Sequence, residues 1–147
     1  MFRFSWLLLF CFQLWAAEPD AFYLTWLKDP TSTMTVVWFG GDGSRVLYRP
    51  VGHSKWRSVT SHTNSVVHVA HIEGLRSDFG YVFQIEGSQE KYQFRTLPSQ
   101  LSREVRFVLG GDIYYYRNLD NFVKMNHVIG DDDPDFVVLG GDIAYTK

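Results

Sequence analysis

A six-residue word occurs twice near the end of the sequence, as Val108-Leu109-Gly110-Gly111-Asp112-Ile113 and as Val138-Leu139-Gly140-Gly141-Asp142-Ile143, 30 residues apart. Each copy is an apolar run of the kind that forms a buried strand, then two glycines, then an aspartate. Parallel strands end at the same sheet edge, and ligands bind outside that edge. Neighbouring strands lie about 4.8 Å apart. Asp112 and Asp142 would then stand close enough to share a pair of metal ions roughly 3.5–4 Å apart. Tyr145 follows Asp142 by three residues, within reach of the same ion. A phenol has a pKa of about 10, and only a strongly polarising cation holds it as phenolate at neutral pH. Tyr145 therefore points to Fe(III) over Zn or Mg. The paired glycines permit a sharp turn and a close approach of backbone to substrate. Taken singly, Asp after Gly-Gly is most often a turn former; two copies with a tyrosine in register favour metal ligands.

The elements that must position these residues read as one βαβ unit. Val105 to Leu109 is an apolar run apart from Arg106, of the kind a strand covered on both faces shows. Asn118 is placed to cap a helix that carries Leu119, Phe122, Val123 and Ile129 on one face, with Gly130 as its stop. Pro134 precedes a second strand, Phe136 to Leu139. Strands joined by such a crossover run parallel, and the connection is right-handed. Asp131-Asp132-Asp133 before Pro134 reads as a solvated turn. His127 lies on the helix, away from the strand ends. Tyr114, Tyr115 and Tyr116 either line a substrate cleft or belong to a core.

Residues 21–96 have a different grammar. Seven short strands are expected: Phe22–Leu27, Met34–Phe39, Val46–Tyr48, Trp56–Val59, Ser65–Ile72, Tyr81–Ile85 and Tyr92–Thr96. With turn signals between them, they predict a sandwich of two antiparallel sheets. Tyr81 enters its strand six residues after Leu75. That pattern resembles the tyrosine corner of fibronectin type III sandwiches, whose phenol bonds back to nearby backbone; Ser77 stands where that family usually has Pro. His68 and His71 differ by an odd number, so they face opposite sides of one strand, and they read as surface or edge residues together with His53 and His62. Leu97-Pro98-Ser99-Gln100-Leu101-Ser102 is the linker.

The N-terminus is expected to be removed. Arg3 supplies a positive charge, Trp6 to Trp15 is almost wholly apolar, and Ala16-Ala17 precedes Glu18. A charged start, about 10 apolar residues and a small-residue exit make a secretory signal peptide. The run is short for a span of about 20 residues, which leaves an uncleaved anchor as the lesser alternative. Phe10 before Cys11 argues against a lipoprotein. Cys11 is the only cysteine of the 147 residues, so residues 18–147 have no disulfide, thiolate site or cysteine nucleophile. Hydrophobic residues at 46%, charged residues at 20% and a net charge of −2 describe a folded protein without a nucleic-acid footprint.

These features together resemble a purple acid phosphatase of the calcineurin-like metallophosphoesterase superfamily. Gly141-Asp142-Ile143-Ala144-Tyr145 matches the family's second motif, Gly-Asp-x-x-Tyr, and Gly111-Asp112 matches the start of the first, where Tyr114 stands in place of a Gly. The resemblance implies a signal peptide (1–17), a fibronectin type III-like domain (18–98), and the N-terminal part of a metallophosphoesterase domain (99–147). It implies that Asp112 and Tyr145 bind Fe(III), and that Asp142 bridges to a second metal, Fe, Zn or Mn. It also implies that a dimetal-activated hydroxide hydrolyses phosphate monoesters. The family's later His-bearing motifs do not follow within the sequence, so the catalytic domain is expected to be incomplete here and inactive by itself. Two rivals stand beside this reading. One is a fibronectin-like binding module with a non-catalytic remnant. The other is a related enzyme acting on nucleotides or phosphodiesters.

Overall fold

The computed structural model describes residues 17–111 and 119–141. That part of the chain is mostly β-sheet with one helix. The predicted signal segment up to residue 16 lies outside the described residues, and among those described no helix is long and apolar enough to cross a membrane.

Eight strands form two four-stranded antiparallel sheets. The first contains β1 (Ala21–Thr25), β2 (Met34–Phe39), β6 (Val67–Ile72) and β5 (His62–Asn64), in that spatial order. The second contains β4 (Arg57–Thr60), β3 (Arg45–Pro50), β7 (Gly80–Ile85) and β8 (Tyr92–Arg95). Alternation selects the facing residues. Met34, Val36 and Trp38 of β2, with Ala70 and Ile72 of β6, meet Val46 and Tyr48 of β3, Tyr81, Phe83 and Ile85 of β7, and Phe94 of β8 in one core. This is the arrangement of a β-sandwich. Its centre is aromatic: Tyr81 stacks on Phe94 at 5.4 Å, and Phe22 meets Phe83 edge-on at 5.9 Å. β2 is an inner strand, and Thr35 and Val37 on its other face are buried as well. Tyr23 stands opposite Val37 and its ring lies 6.3 Å from that of Phe39, so aromatics cover that face too.

Eight strands replace the expected seven. β5 is the addition, a three-residue edge strand of exposed polar residues that carries no apolar alternation to betray it. The expected long strand Ser65–Ile72 starts at Val67, because Ser65 takes a left-handed φ of 58° in the turn before it. His68 and His71 are both half-buried on β6; β5 pairs only with Val67 to Val69, so His68 lies between two strands while His71 lies beyond the end of β5. His68 stacks on Trp38 at 5.0 Å and shares a hydrogen bond with Thr63, while His71 shares one with Thr35.

The loop before β7 is the best-tied part of the sandwich. The Arg76 N–H donates to the Tyr81 hydroxyl at 2.8 Å, the local bond that the corner pattern predicts. The fully buried Thr96 hydroxyl accepts from the Phe79 N–H at 3.0 Å and donates to the Arg76 carbonyl at 2.6 Å. The Asp78 N–H donates to the Leu97 carbonyl. Asp78 itself sits at a φ of 51° in the left-handed region, which aspartate tolerates better than most residues. Tyr81→Phe leaves the Arg76 N–H without its partner. It should cost on the order of 1–3 kcal/mol, read as a lowered denaturant midpoint at unchanged m-value. A variant that melts like the parent would remove the corner bond from the account of stability.

The remaining elements are β9 (Phe107–Gly110), α1 (Leu119–Asp131) and β10 (Phe136–Leu139). β9 and β10 form a two-stranded parallel sheet, as the strand–helix–strand reading requires. The helix does not stop at Gly130. It runs to Asp131, and Asp132 and Asp133 close the turn by donating to the Val128 and Gly130 carbonyls. Asp133, at a φ of 46°, takes the left-handed position expected of a glycine. Of the acidic run read as a turn, Asp132 and Asp133 form it, while Asp131 ends the helix. Among the described residues the coverage expected on both strand faces is not found: Phe107, Leu109, Val137, Val138 and Leu139 are all exposed.

Candidate metal-binding edge

Asp112, Asp142 and Tyr145 lie outside the described residues, as do Tyr114 to Tyr116 and Asn118. The backbone that leads to both aspartates is described. β9 and β10 pair from Phe107↔Phe136 to Gly110↔Leu139. The Gly140 N–H donates to the Gly110 carbonyl at 2.8 Å, so the pairing continues into the glycines. A Cβ on Gly111 would stand 2.1 Å from the Gly140 carbonyl oxygen. No residue but glycine fits there without moving backbone. Gly141 then turns away at a φ of 75°, a conformation that costs other residues on the order of 1–2 kcal/mol. The close approach that the glycines permit is therefore, in this structure, strand to strand.

The register adds something the repeat conceals. The repeated words are 30 residues apart, whereas paired residues are 29 apart, as Val108↔Val137 shows. The two copies are staggered by one residue. Val108 consequently shares a face with Val137 and not with its counterpart Val138.

Among the described residues no group of three His, Cys, Asp or Glu side chains is arranged to hold a metal ion. His53, His62 and His127 are exposed.

A second cluster, absent from the sequence reading, lies at the opposite end of β10. Arg103 donates from Nη1 and Nη2 to both carboxylate oxygens of Asp135 at 2.9 and 2.7 Å, and from Nε to Asp78 at 2.8 Å. Asp135 also accepts from the Arg106 N–H, and its own N–H donates to the Arg106 carbonyl. Arg95 of β8 donates to Asp78 at 3.0 Å. Hydrogen bonds from Arg103 hold both Asp78 and Asp135 below the usual carboxylate range, and Arg103 is raised in turn by Asp135 and then Asp78. Next to Asp135, the Phe136 ring stacks on Phe107 at 5.3 Å and meets Trp26 edge-on at 5.7 Å. A cleft of about 1330 Å³ opens here, lined by Trp26, Arg95, Arg103, Asp135, Phe136 and Leu139 among others. The cleft lies by the clamp, and the glycines of the edge do not line it. Arg103 falls just past a stretch that composition marks as linker, and nothing local in the sequence pairs it with Asp135, 32 residues away.

No family model matches the chain, and no curated protein sequence matches it.

Proposed function

We propose that this chain carries the first metal-binding motifs of a metal-dependent phosphoesterase of purple acid phosphatase type, secreted or periplasmic. In this reading residues 18–98 are a fibronectin type III-like domain, and residues 99–147 are the opening βαβ unit of a calcineurin-like metallophosphoesterase domain. The observation that carries the reading is the glycine contact: β9 and β10 are parallel neighbours, and Gly111 touches Gly140 at their C-terminal ends. Asp112 follows the first of these glycines by one residue and Asp142 follows the second by two. The Arg76–Tyr81 bond supports the fibronectin-like assignment.

Two carboxylates and a phenol are hard oxygen donors, a set that fits Fe(III) beside a divalent Fe, Zn or Mn. Asp112 and Tyr145 would hold the iron and Asp142 would bridge. When bound, such a centre supplies Lewis acidity and an activated water for attack on phosphorus. The chain's own part is to bring the carboxylates to one edge and to keep the backbone there narrow. The substrate is a phosphate monoester; nucleic acid is not a partner, nor is a membrane once the signal is cleaved.

The test reads metal before turnover. A parent form that also carries the family's later His-bearing motifs, purified with iron, should retain it and show a visible tyrosinate–Fe(III) absorption band. Tyr145→Phe should bleach the band while iron remains, and Asp142→Asn should remove the second metal and abolish any hydrolysis of an aryl phosphate. A parent that keeps no iron, or a band indifferent to Tyr145→Phe, would sink the proposal.

One observation favours the binding-module alternative. The core cluster and the partly buried hydrophobics against it come from residues 22–94, all within the sandwich. On that reading residues 18–98 expressed separately melt cooperatively, and the parent retains no iron.

A further inference from the structure

We infer that Arg103 is the anchor that fixes the β9–α1–β10 unit to the sandwich, gripping Asp135 at the root of β10 with one side of its guanidinium and Asp78 of the sandwich with the other. The inference stands without the proposed metal site.

The geometry is specific to arginine. Its guanidinium is a rigid planar fork that can serve two carboxylates at once, whereas lysine offers a point charge. Arg103 spends its Nη pair on Asp135 and its Nε on Asp78. Both carboxylates are themselves held. Asp78 belongs to the loop locked by Thr96 and the Tyr81 corner, and it receives Arg95 as well. Asp135 is clasped by the Arg106 backbone in both directions. The fork thus joins two pre-ordered points, and little side-chain entropy remains to be lost on either side. The Asp135 side chain is only 13% exposed, so the forked pair is screened less than an ordinary surface pair. Phe136, the next residue, meets Trp26 and supplies the apolar half of the same joint. On the β10 side these contacts fall on two consecutive residues, Asp135 just before the strand and Phe136 at its start.

Hydrogen exchange on the full chain, followed by mass spectrometry, tests the anchor. Arg103→Ala should accelerate exchange by about tenfold or more at the amides of Asp135 and Gly140, as local opening becomes easier. Amides of β2, β3, β6 and β7 should keep their parent rates. Asp135→Asn, which preserves shape and an acceptor for Arg106, should give the same pattern if Arg103→Ala expresses poorly. Arg103→Lys should fail to restore protection. Unchanged exchange at Asp135 and Gly140 would overturn the inference. So would a uniform rise across the sandwich, which would mark Arg103 as a general stability residue, and so would full rescue by lysine.

Discussion

Trp38→Ala is expected to remove about 3–5 kcal/mol of stability, the range for deleting a large buried aromatic. Trp38 is fully buried on an inner strand that pairs with both β1 and β6. It faces the second sheet and stacks its ring against His68. Little can collapse into the space it leaves, because its neighbours Val36, Ala70 and Ile72 are fixed by the β2–β6 ladder. Domains of this size are stable by roughly 5–15 kcal/mol in total, so the variant should sit near the edge of folding at 37 °C. Urea denaturation read by far-ultraviolet circular dichroism would measure it. A midpoint within error of the parent would mean that the two sheets do not share one core.

Gly111→Ala should disrupt the strand edge, while Gly140→Ala should be nearly silent. Gly111 is the second glycine of one copy of the word and Gly140 the first glycine of the other, and sequence alone does not say which of them tolerates a side chain. The structure does. An alanine methyl at 111 meets the Gly140 carbonyl oxygen at 2.1 Å, whereas at 140 the nearest atom is the Gly110 oxygen at 3.9 Å. The first clash is with backbone, so strands must part and the Gly140-to-Gly110 bond must lengthen, at a cost on the order of 1–3 kcal/mol. The second change should stay within about 0.5 kcal/mol. Exchange at the Gly140 amide reads the damage directly, or at the residue-140 amide in the second variant. On the proposed metal-site reading, Gly111→Ala should also weaken the tyrosinate band. Equal behaviour of the two variants would mean that the one-residue stagger is wrong.

The sandwich was legible because alternation and burial report the same thing. Met34 to Phe39 and Tyr81 to Ile85 are β-branched and aromatic, and both proved to be inner strands. The Leu75–Tyr81 spacing alone points to the Arg76–Tyr81 hydrogen bond. What escaped had no local signature. β5 is polar and is held only by pairing with β6. The helix end was misplaced because Gly130 is the obvious stop, yet the left-handed residue is Asp133. The parallel pair was readable, but its register was not, since an exact repeat invites in-phase pairing. The Arg103 fork was invisible because its two partners are 25 and 32 residues away and only the fold brings them together.

The joint at Asp135 and Phe136 makes β10 a cantilever. It is clamped at its N-terminal root, and its tip is the glycine edge, four to five residues on. At about 3.3 Å per residue the arm is roughly 13–17 Å long. Angular play at the root is carried to the tip in proportion to that length. Play at the edge then depends on the Arg103 joint at the root as well as on the pairing of β10 with β9. Drift in sequence around residues 78, 103 and 135 would then be felt as misalignment at the far end of the strand, with the residues at the tip unchanged.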